Sequence, residues 1–494
     1  MPNETPETGT TQAGGAPVAI LDRIIQQGKI ARDDSQRPYA INLLSEYAVQ
    51  VLDEGMTVGK NSVVAGIKQR IAEIDQQLSD QLNAIMHAPE FQSLEAAWRG
   101  LFYLVTNTET GTMLKLRLLN VNKKELLADL EKATEFDQSA LFKQVYEYEY
   151  GTFGGNPYSV LIGDYEFGRH PQDIAMLEKI SNVAAAAHAP FIAAASPKLF
   201  DWDSFTEMGV PRDLAKGFES TELIKWRAFR DSEDSRYVAL TLPHVLLRLP
   251  YGPDTVPVDE FNFVEDVDGK DHSKYLWGNS AYALGQRITD AFAHYKWCAA
   301  IRGVEGGGLI EGLPVHTFHT DEGDIAMKCP TEIAITDRRE NELNNLGFIA
   351  VCHRKSSDQA AFFGGQTTNR PKLYNTNEAN ANARVSAMLP YVLAASRFAH
   401  YIKVIMRDKI GSFMTRENVA NYLNTWIADY VLLNDDAPQS VKAQYPLRSA
   451  RVDVFDIPGK PGSYRSVVFL KPHFQLDELS VSIRLVADLP APAK

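Results

Sequence analysis

Tyr158-Ser-Val-Leu-Ile162 and Phe191-Ile-Ala-Ala-Ala195 are short apolar runs, and between them Ile174-Ala-Met-Leu-Glu-Lys-Ile-Ser-Asn-Val-Ala-Ala-Ala-Ala187 places apolar residues at helical spacing. Apolar runs of this length suit strands buried on both faces, and a helix between two of them supplies the crossover that a parallel pair requires. The stretch therefore predicts a parallel α/β unit and makes the middle of the chain mixed α/β. Just upstream, Met113–Val121 alternates Leu114, Leu116 and Leu118 with Lys115 and Arg117, which is strand period, and Lys123–Ala133 returns to helical period.

Working towards the N-terminus, Ile67, Ile71, Ile74, Leu78, Leu82 and Ile85 step by four and three, and Ala88-Pro89 separates them from Phe91, Leu94, Trp98 and Leu101. Two helices are expected to meet at that proline. Before them lies a helical pattern carrying Leu44, Ala48, Val51 and Leu52, and earlier still Ile20, Leu21, Ile24 and Ile25 with Gly28 placed to stop a short amphipathic helix. The polar stretch Ala31–Arg37 joins the two, so the N-terminus reads as a helical arm standing off the body. Met1–Pro17, rich in Thr, Gly, Pro and Glu, reads as a disordered tail without the cationic and apolar regions of a secretory signal.

Towards the C-terminus, helical spacing runs from Arg384 through Leu389, Leu393, Phe398, Ile402 and Ile405, then Val419, Leu423, Ile427 and Val431, until Asn434–Pro438 breaks it. Three strand-like runs follow, Val452–Phe455, Ser466–Leu470 and Leu479–Val486, with a Pro-Gly turn at Pro458–Gly462 between the first two.

Composition narrows the function. The 494 residues hold 50 Lys+Arg against 63 Asp+Glu, a formal charge of −13, with 45% hydrophobic and 23% charged residues. That is a globular, acidic chain, and a nucleic-acid binder would need a basic surface instead. Cys298, Cys329 and Cys352 have neither a disulfide framework nor a CxxC zinc spacing and read as reduced, buried thiols. The most apolar window, Val183–Ala195, is interrupted by His188 and Pro190 and is shorter than the ~18 residues of a spanning helix. Together these predict a cytoplasmic protein without membrane insertion.

Catalytic motifs fail in detail. Gly303-Val-Glu-Gly-Gly-Gly308 could cradle a phosphate but has no dinucleotide register and no following Gly-Lys-Ser/Thr, so a tight turn explains it as well. His316, His319 and Asp321 are potential metal ligands, yet alternation puts the two histidines on opposite strand faces. Ser232–Arg236 and Asp337–Glu340 mix charges that suit salt-bridged loops as well as an acid–base pair. The two ends are more telling, because a detached apolar helix and terminal strands carry groups that another chain, or the chain's own body, must satisfy.

Phe91-Gln-Ser-Leu-Glu-Ala-Ala-Trp-Arg-Gly100, Leu161-Ile-Gly-Asp-Tyr165, Ser232-Glu-Asp-Ser-Arg-Tyr237 and Tyr275-Leu-Trp-Gly-Asn279 resemble, in this order, the large subunit of the type VI secretion contractile sheath, the TssC/VipB family. Ile301–Gly308, Lys328-Cys-Pro-Thr-Glu-Ile333, Ser396-Arg-Phe-Ala-His-Tyr401 and Lys471-Pro-His-Phe-Gln-Leu476 continue the likeness, which spans about Phe91 to Pro490. The resemblance implies a structural protein, no enzyme and no cofactor, that pairs with a small sheath subunit (TssB/VipA family). Copies of the pair would stack as a sleeve around inner-tube hexamers (Hcp family) on a baseplate, contract, and be dismantled by a AAA+ unfoldase (ClpV family).

It also implies roles for the ends. The unfoldase's handle would be the helix of Ile20, Leu21, Ile24 and Ile25, and strands exchanged between protomers would carry Val467, Val468, Phe469 and Leu470 together with Val481, Ile483 and Leu485. The expected fold is α+β, a mixed α/β sheath-protein body with an N-terminal helical arm and shared C-terminal strands. Its parts would be a tail at 1–17, an arm and linker at 18–60, a mixed middle at 61–380, and a helical and β-strand assembly domain at 381–494. A phage-type tail sheath needing no second subunit, and a metal- or phosphate-dependent enzyme using His316, Asp321 or Gly306–Gly308, are the alternatives.

Overall fold

The computed structural model describes residues 31–473, leaving out 32, 34, 54–61, 260, 321–322, 410–411, 413–414 and 459–463. The handle residues Ile20, Leu21, Ile24 and Ile25, the tail before them and the third C-terminal run with Val481, Ile483 and Leu485 therefore lie outside the described residues. The chain divides into two compact units, Met1–Leu78 and Ser79–Lys494.

The first unit is helical. Arg37–Asp53 forms the helix expected around Leu44 and Ala48, and Ser62–Met86 the longer one. Gly66 is where the two approach, since a Cβ there would lie 2.9 Å from the Tyr47 hydroxyl. Tyr39, Leu43, Val49, Ile71, Ile74 and Leu78 remain exposed.

The second unit is built on a six-stranded sheet. Its strands are β1 (Leu161–Phe167), β2 (Phe191–Ala195), β3 (Val238–Leu242), β4 (Leu309–Ile310), β5 (Phe348–His353) and β6 (Ala360–Phe362), in the order β1-β2-β3-β5-β6-β4. The first four in that order run parallel, and β6 is antiparallel to both its neighbours. The Pro171–Ala187 helix crosses from β1 to β2, which is the predicted parallel unit. Successive residues go to opposite faces, so a strand covered on both sides must be apolar throughout. Phe191, Ala193 and Ala195 pack with Leu177, Trp226 and Phe348 on one face. Ile192, Ala239 and Ile349 meet Leu284 and Ile288 of the Ala281–Tyr295 helix on the other.

Two strand expectations are corrected. β1 starts three residues later than Tyr158 and runs on through Asp164 and Glu166 to Phe167. It is an edge strand, so its second half tolerates polar residues and did not need an unbroken apolar run. Met113–Val121 is not a strand: it has no regular secondary structure and joins no ladder among the described residues. Alternation reports an extended backbone with one more apolar side, whereas a strand also needs a neighbour, and none of the described residues provides one.

The C-terminal part is a small second core. Asn377–Ser386, Leu389–Asp408 and Arg416–Ala428 are separate helices, the second opening on Pro390 in its first turn, where a missing N–H costs nothing. Val431 lies beyond the last of these, in an isolated bridge to Leu447. The helices pack against β7 (Leu447–Asp456) and β8 (Tyr464–Pro472), an antiparallel pair, through Trp297, Phe398, Leu423, Ile427, Val452 and Val454. Cys298 and Cys352 are buried free thiols and Cys329 is half-buried. Among the described residues no helix is long and apolar enough to cross a membrane.

Candidate functional site

Among the described residues, the β7–β8 pair is held on one edge. Thr415 caps the Arg416–Ala428 helix by accepting from the Asn418 N–H, and the helix then delivers Asn424 to the outer edge of β7. There Asn424 Nδ2 donates to the Val452 carbonyl and Asn424 Oδ1 accepts the Val452 N–H, at 2.8 and 2.9 Å. Val452 thus points its backbone away from β8. In an antiparallel pair the residue opposite does the same, and Val468 is opposite. By alternation Ser466, Val468 and Leu470 turn their N–H and C=O groups to the outer edge of β8, where the described residues supply no partner.

The side chains alternate across the other direction. Val468 and Leu470 pack on the core of Phe398 and Val452. Val467 and Phe469, 37% and 50% exposed, face out, and the Arg451 guanidinium covers the Phe469 ring at 4.7 Å. Of the sequence-predicted exchange residues, β8 therefore carries four, two facing its core and two facing outwards.

A second surface was not singled out from sequence. The Pro89–Thr106 helix starts on Ala88 in extended backbone with Pro89 at its first position. Its inner face meets the Ala281–Tyr295 helix at Gly100, which leaves no room for a Cβ against the Tyr282 ring. Beside it Glu95 binds Arg248 at 2.8 Å, and Arg248 binds the buried Glu265 at 2.7 Å. Its outer face exposes Phe91, Leu94, Trp98, Phe102 and Val105, the last three at 63%, 68% and 47%. The periodicity was legible, but which side was inner depends on Gly100 and Glu95, whose partners are remote in sequence.

The enzyme candidates do not assemble. In the glycine loop the Gly303 N–H donates to the Phe362 carbonyl at 2.7 Å and the Gly308 N–H to the Gly303 carbonyl at 2.8 Å. These amides serve the fold rather than an anion, and Gly303 and Gly307 take φ of 70° and 89°, the left-handed region that glycine allows. His316 is buried with Nδ1 2.6 Å from the Tyr275 hydroxyl, burial pushing its pKa down, whereas His319 is exposed. Asp321 lies outside the described residues, and among those residues no three His, Cys, Asp or Glu side chains are placed to hold a metal. Arg338 and Arg339 bind Glu342 at 3.1 and 2.6 Å, and Ser235 Oγ donates to the Ser232 carbonyl, so both mixed-charge clusters are structural ties.

One polar cluster escaped the sequence altogether. His244 Nδ1 lies 2.5 Å from Glu332 and Nε2 lies 2.8 Å from Glu166, and Glu332 also accepts from Ser204 Oγ at 2.7 Å. Burial alone would lower the His244 pKa, but hydrogen bonds to the two carboxylates outweigh it and hold the imidazolium up to about 10. Both ring nitrogens are used, so the imidazolium braces the carboxyl ends of β1 and β3 by tying Glu166 to Glu332.

The family model described as EvpB/VC_A0108, tail sheath N-terminal domain, matches residues 68–369. That described as EvpB/VC_A0108, tail sheath gpW/gp25-like domain, matches residues 378–489. The type VI secretion system sheath protein TssC1 of Pseudomonas aeruginosa PAO1 is 50% identical over 491 residues, covering 98% of this chain and 97% of that protein. Among solved structures, the anti-feeding prophage baseplate aligns with a TM-score of 0.35 at 11% identity, over 64% of this chain and 66% of that one. The contracted sheath complex of the PVC extracellular contractile injection system aligns at 0.34 and 9% identity, over 62% and 68%.

Proposed function

The chain belongs to the TssC/VipB family, as a structural subunit of the type VI secretion contractile sheath and not an enzyme, and on that premise we propose how it is joined into that sheath. Its partner is a small sheath subunit of the TssB/VipA family, and the pairs stack in the cytoplasm around inner-tube hexamers of the Hcp family on a baseplate. Links between protomers run through β8, whose open edge is the observation that carries this reading. Three residues there offer six backbone groups, and roughly six hydrogen bonds at about 0.5–1.5 kcal/mol net each amount to several kcal/mol per neighbour.

The occupant of that edge is an extended segment of another protomer, with the run of Val481, Ile483 and Leu485 as its source. Such links keep the lattice connected while the rigid bodies rotate, so contraction releases the free-energy difference between two packings. Ile20, Leu21, Ile24 and Ile25 are the handle of a ClpV-type unfoldase. The working division of the chain remains tail 1–17, arm and linker 18–60, middle 61–380 and assembly domain 381–494.

The test is co-expression with the small sheath subunit encoded beside this chain, read by negative-stain electron microscopy. Long hollow tubes that require both chains are expected. Discrete particles from the pair would overturn the proposal.

A further inference from the structure

We infer that Cys329 and His353 form an activated thiol pair, a modification site for soft electrophiles and hydroperoxides in a chain whose other two cysteines are inert. The inference goes beyond the sheath reading and does not rest on its partners. Cys329 follows the Ile325–Met327 strand, and the chain after it is pinned: the Pro330 carbonyl accepts the Leu246 N–H at 2.8 Å and the Glu332 N–H donates to the His244 carbonyl at 2.9 Å. His353 is the last residue of β5.

The two side chains are arranged as a nucleophile and its base, with the base oriented by a third group. His353 Nε2 lies 2.8 Å from the Ser357 carbonyl. A carbonyl only accepts, so Nε2 carries the proton, and Nδ1 is the nitrogen left for the Cys329 sulfur, which hydrogen-bonds to this ring. The fully buried Thr331 gives the sulfur its N–H and its hydroxyl, the latter 3.2 Å from Sγ and 3.0 Å from the Ile333 carbonyl, so its proton can turn from the carbonyl to a thiolate. Burial alone would raise the Cys329 pKa, but His353 and Thr331 outweigh it and hold the thiol below its usual range. The His353 pKa rises in step, against burial, through Cys329 and the Ser357 carbonyl. The Lys328 ammonium is a further cation coupled to the sulfur.

Cys298 and Cys352 supply the contrast within the same chain. Both are buried free thiols, pushed by burial up to about 11 and about 12. Cys352 adjoins His353 on β5, but alternation turns the two side chains to opposite faces, so the imidazole serves Cys329 and not its neighbour in sequence. Reactivity follows thiolate character and access, and the half-buried Cys329 combines them.

With hydrogen peroxide the thiolate attacks one peroxide oxygen, and the S–O bond forms as the O–O bond breaks. The sulfur loses two electrons and the peroxide gains them. The Nδ1 proton of His353 passes to the departing hydroxide, leaving a sulfenic acid, a neutral imidazole and water. With iodoacetamide an S–C bond forms as iodide leaves.

The test is peptide-resolved mass spectrometry of the native full-length chain labelled with iodoacetamide across a pH series. At pH 6 Cys329 is expected to react about five-fold or more faster than the same cysteine in the chain unfolded by denaturant, and about 100-fold or more faster than native Cys298 or Cys352. Hydrogen peroxide followed by dimedone should mark Cys329 alone. His353→Gln, which keeps a donor for the Ser357 carbonyl, should lower the pH 6 rate about ten-fold and move the midpoint of the pH–rate curve upwards. Labelling of Cys329 no faster than in the unfolded chain, or first labelling at Cys298 or Cys352, would overturn the inference without any variant having to fold. An unchanged pH–rate curve in folded His353→Gln would overturn it as well.

Discussion

β3 and β8 are both strands of ordinary length, but β3 lies between β2 and β5 with a helical layer on each face, whereas β8 has β7 on one edge and no described neighbour on the other. β3 is apolar at nearly every position because both its faces are core. β8 alternates, Val468 and Leu470 inwards and Val467 and Phe469 outwards. The difference separates two uses of β structure: the interior strand spends all its groups on holding the protomer together, while the edge strand leaves half of its backbone groups without a partner among the described residues, the groups that the proposed function assigns to another chain.

The sharpest way to break this comparison is to place proline on β8. Val468→Pro removes an N–H that points to the open edge and no ladder hydrogen bond, so the protomer should lose only about 1–2 kcal/mol, through the half-buried Val468 side chain, while tube formation is abolished. Phe469→Pro, one residue on, removes a ladder hydrogen bond to Arg451 and should destabilise the protomer itself. Microscopy of tubes alongside thermal unfolding of the heterodimer distinguishes the two, and tubes of normal length from Val468→Pro would contradict the edge assignment.

The interior half of the comparison is tested by Phe348→Ala. Phe348 is fully buried on β5, stacked with Trp226 at 5.9 Å between ring centres, and its removal should cost about 3–5 kcal/mol through lost burial and a cavity. The expected result is loss of soluble protein or a large fall in the denaturation midpoint, with assembly lost only as a consequence. A smaller loss is expected from Asn424→Ala, which strands the Val452 N–H and C=O at the covered edge of β7 and should cost about 1–3 kcal/mol. If the denaturation midpoint does not move, β7 is not fixed in the way described.

The least drastic probe is pH, and it sharpens the contrast between the sheet and its C-terminal anchor. His400 on the Leu389–Asp408 helix binds the Ala187 carbonyl at 3.0 Å, and His188 lies beside it. Burial, aided by Lys403 nearby, lowers His188 to about 4 and His400 to about 3. Between pH 6.5 and these values the unfolded chain binds protons that the folded one refuses, so stability falls as pH falls, at most by about 1.4 kcal/mol per unit for each group. His244 has the opposite sign: held up to about 10, it contributes fully below pH 6.5 and its contribution is lost as pH rises through 10. Hydrogen exchange should accordingly show the 389–408 helix loosening first at pH 5 and the carboxyl ends of β1 and β3 loosening first at pH 10. The reverse order would refute both assignments.

Much of the fold was legible because its signals are local. The run Phe191–Ala195 is apolar at every residue and became β2 over those same five residues, and the Ala88-Pro89 step ends one helix and begins the next. What misled was pairing, which is not local. Met113–Val121 has strand period without a neighbour among the described residues, and β1 runs into polar residues because only one of its edges is paired there. The charged braces were invisible for the same reason, since Glu166 and Glu332 stand 78 and 88 residues from His244. The glycine loop could not be decided by composition, because the same six residues suit a turn or a phosphate until the destination of each amide is known. At the C-terminus the alternation of Val467, Val468, Phe469 and Leu470 marked a strand with two faces, but only the Asn424 clamp on Val452 reveals which backbone groups are left at the edge.

The most direct test of the central claim is a cryo-electron microscopy map of tubes made from this chain and its small sheath subunit, resolved well enough to trace strands. A strand of another protomer should lie about 4.8 Å from β8, bonded to Ser466, Val468 and Leu470. Tubes in which that edge faces solvent, or is covered by the protomer's own chain, would contradict it.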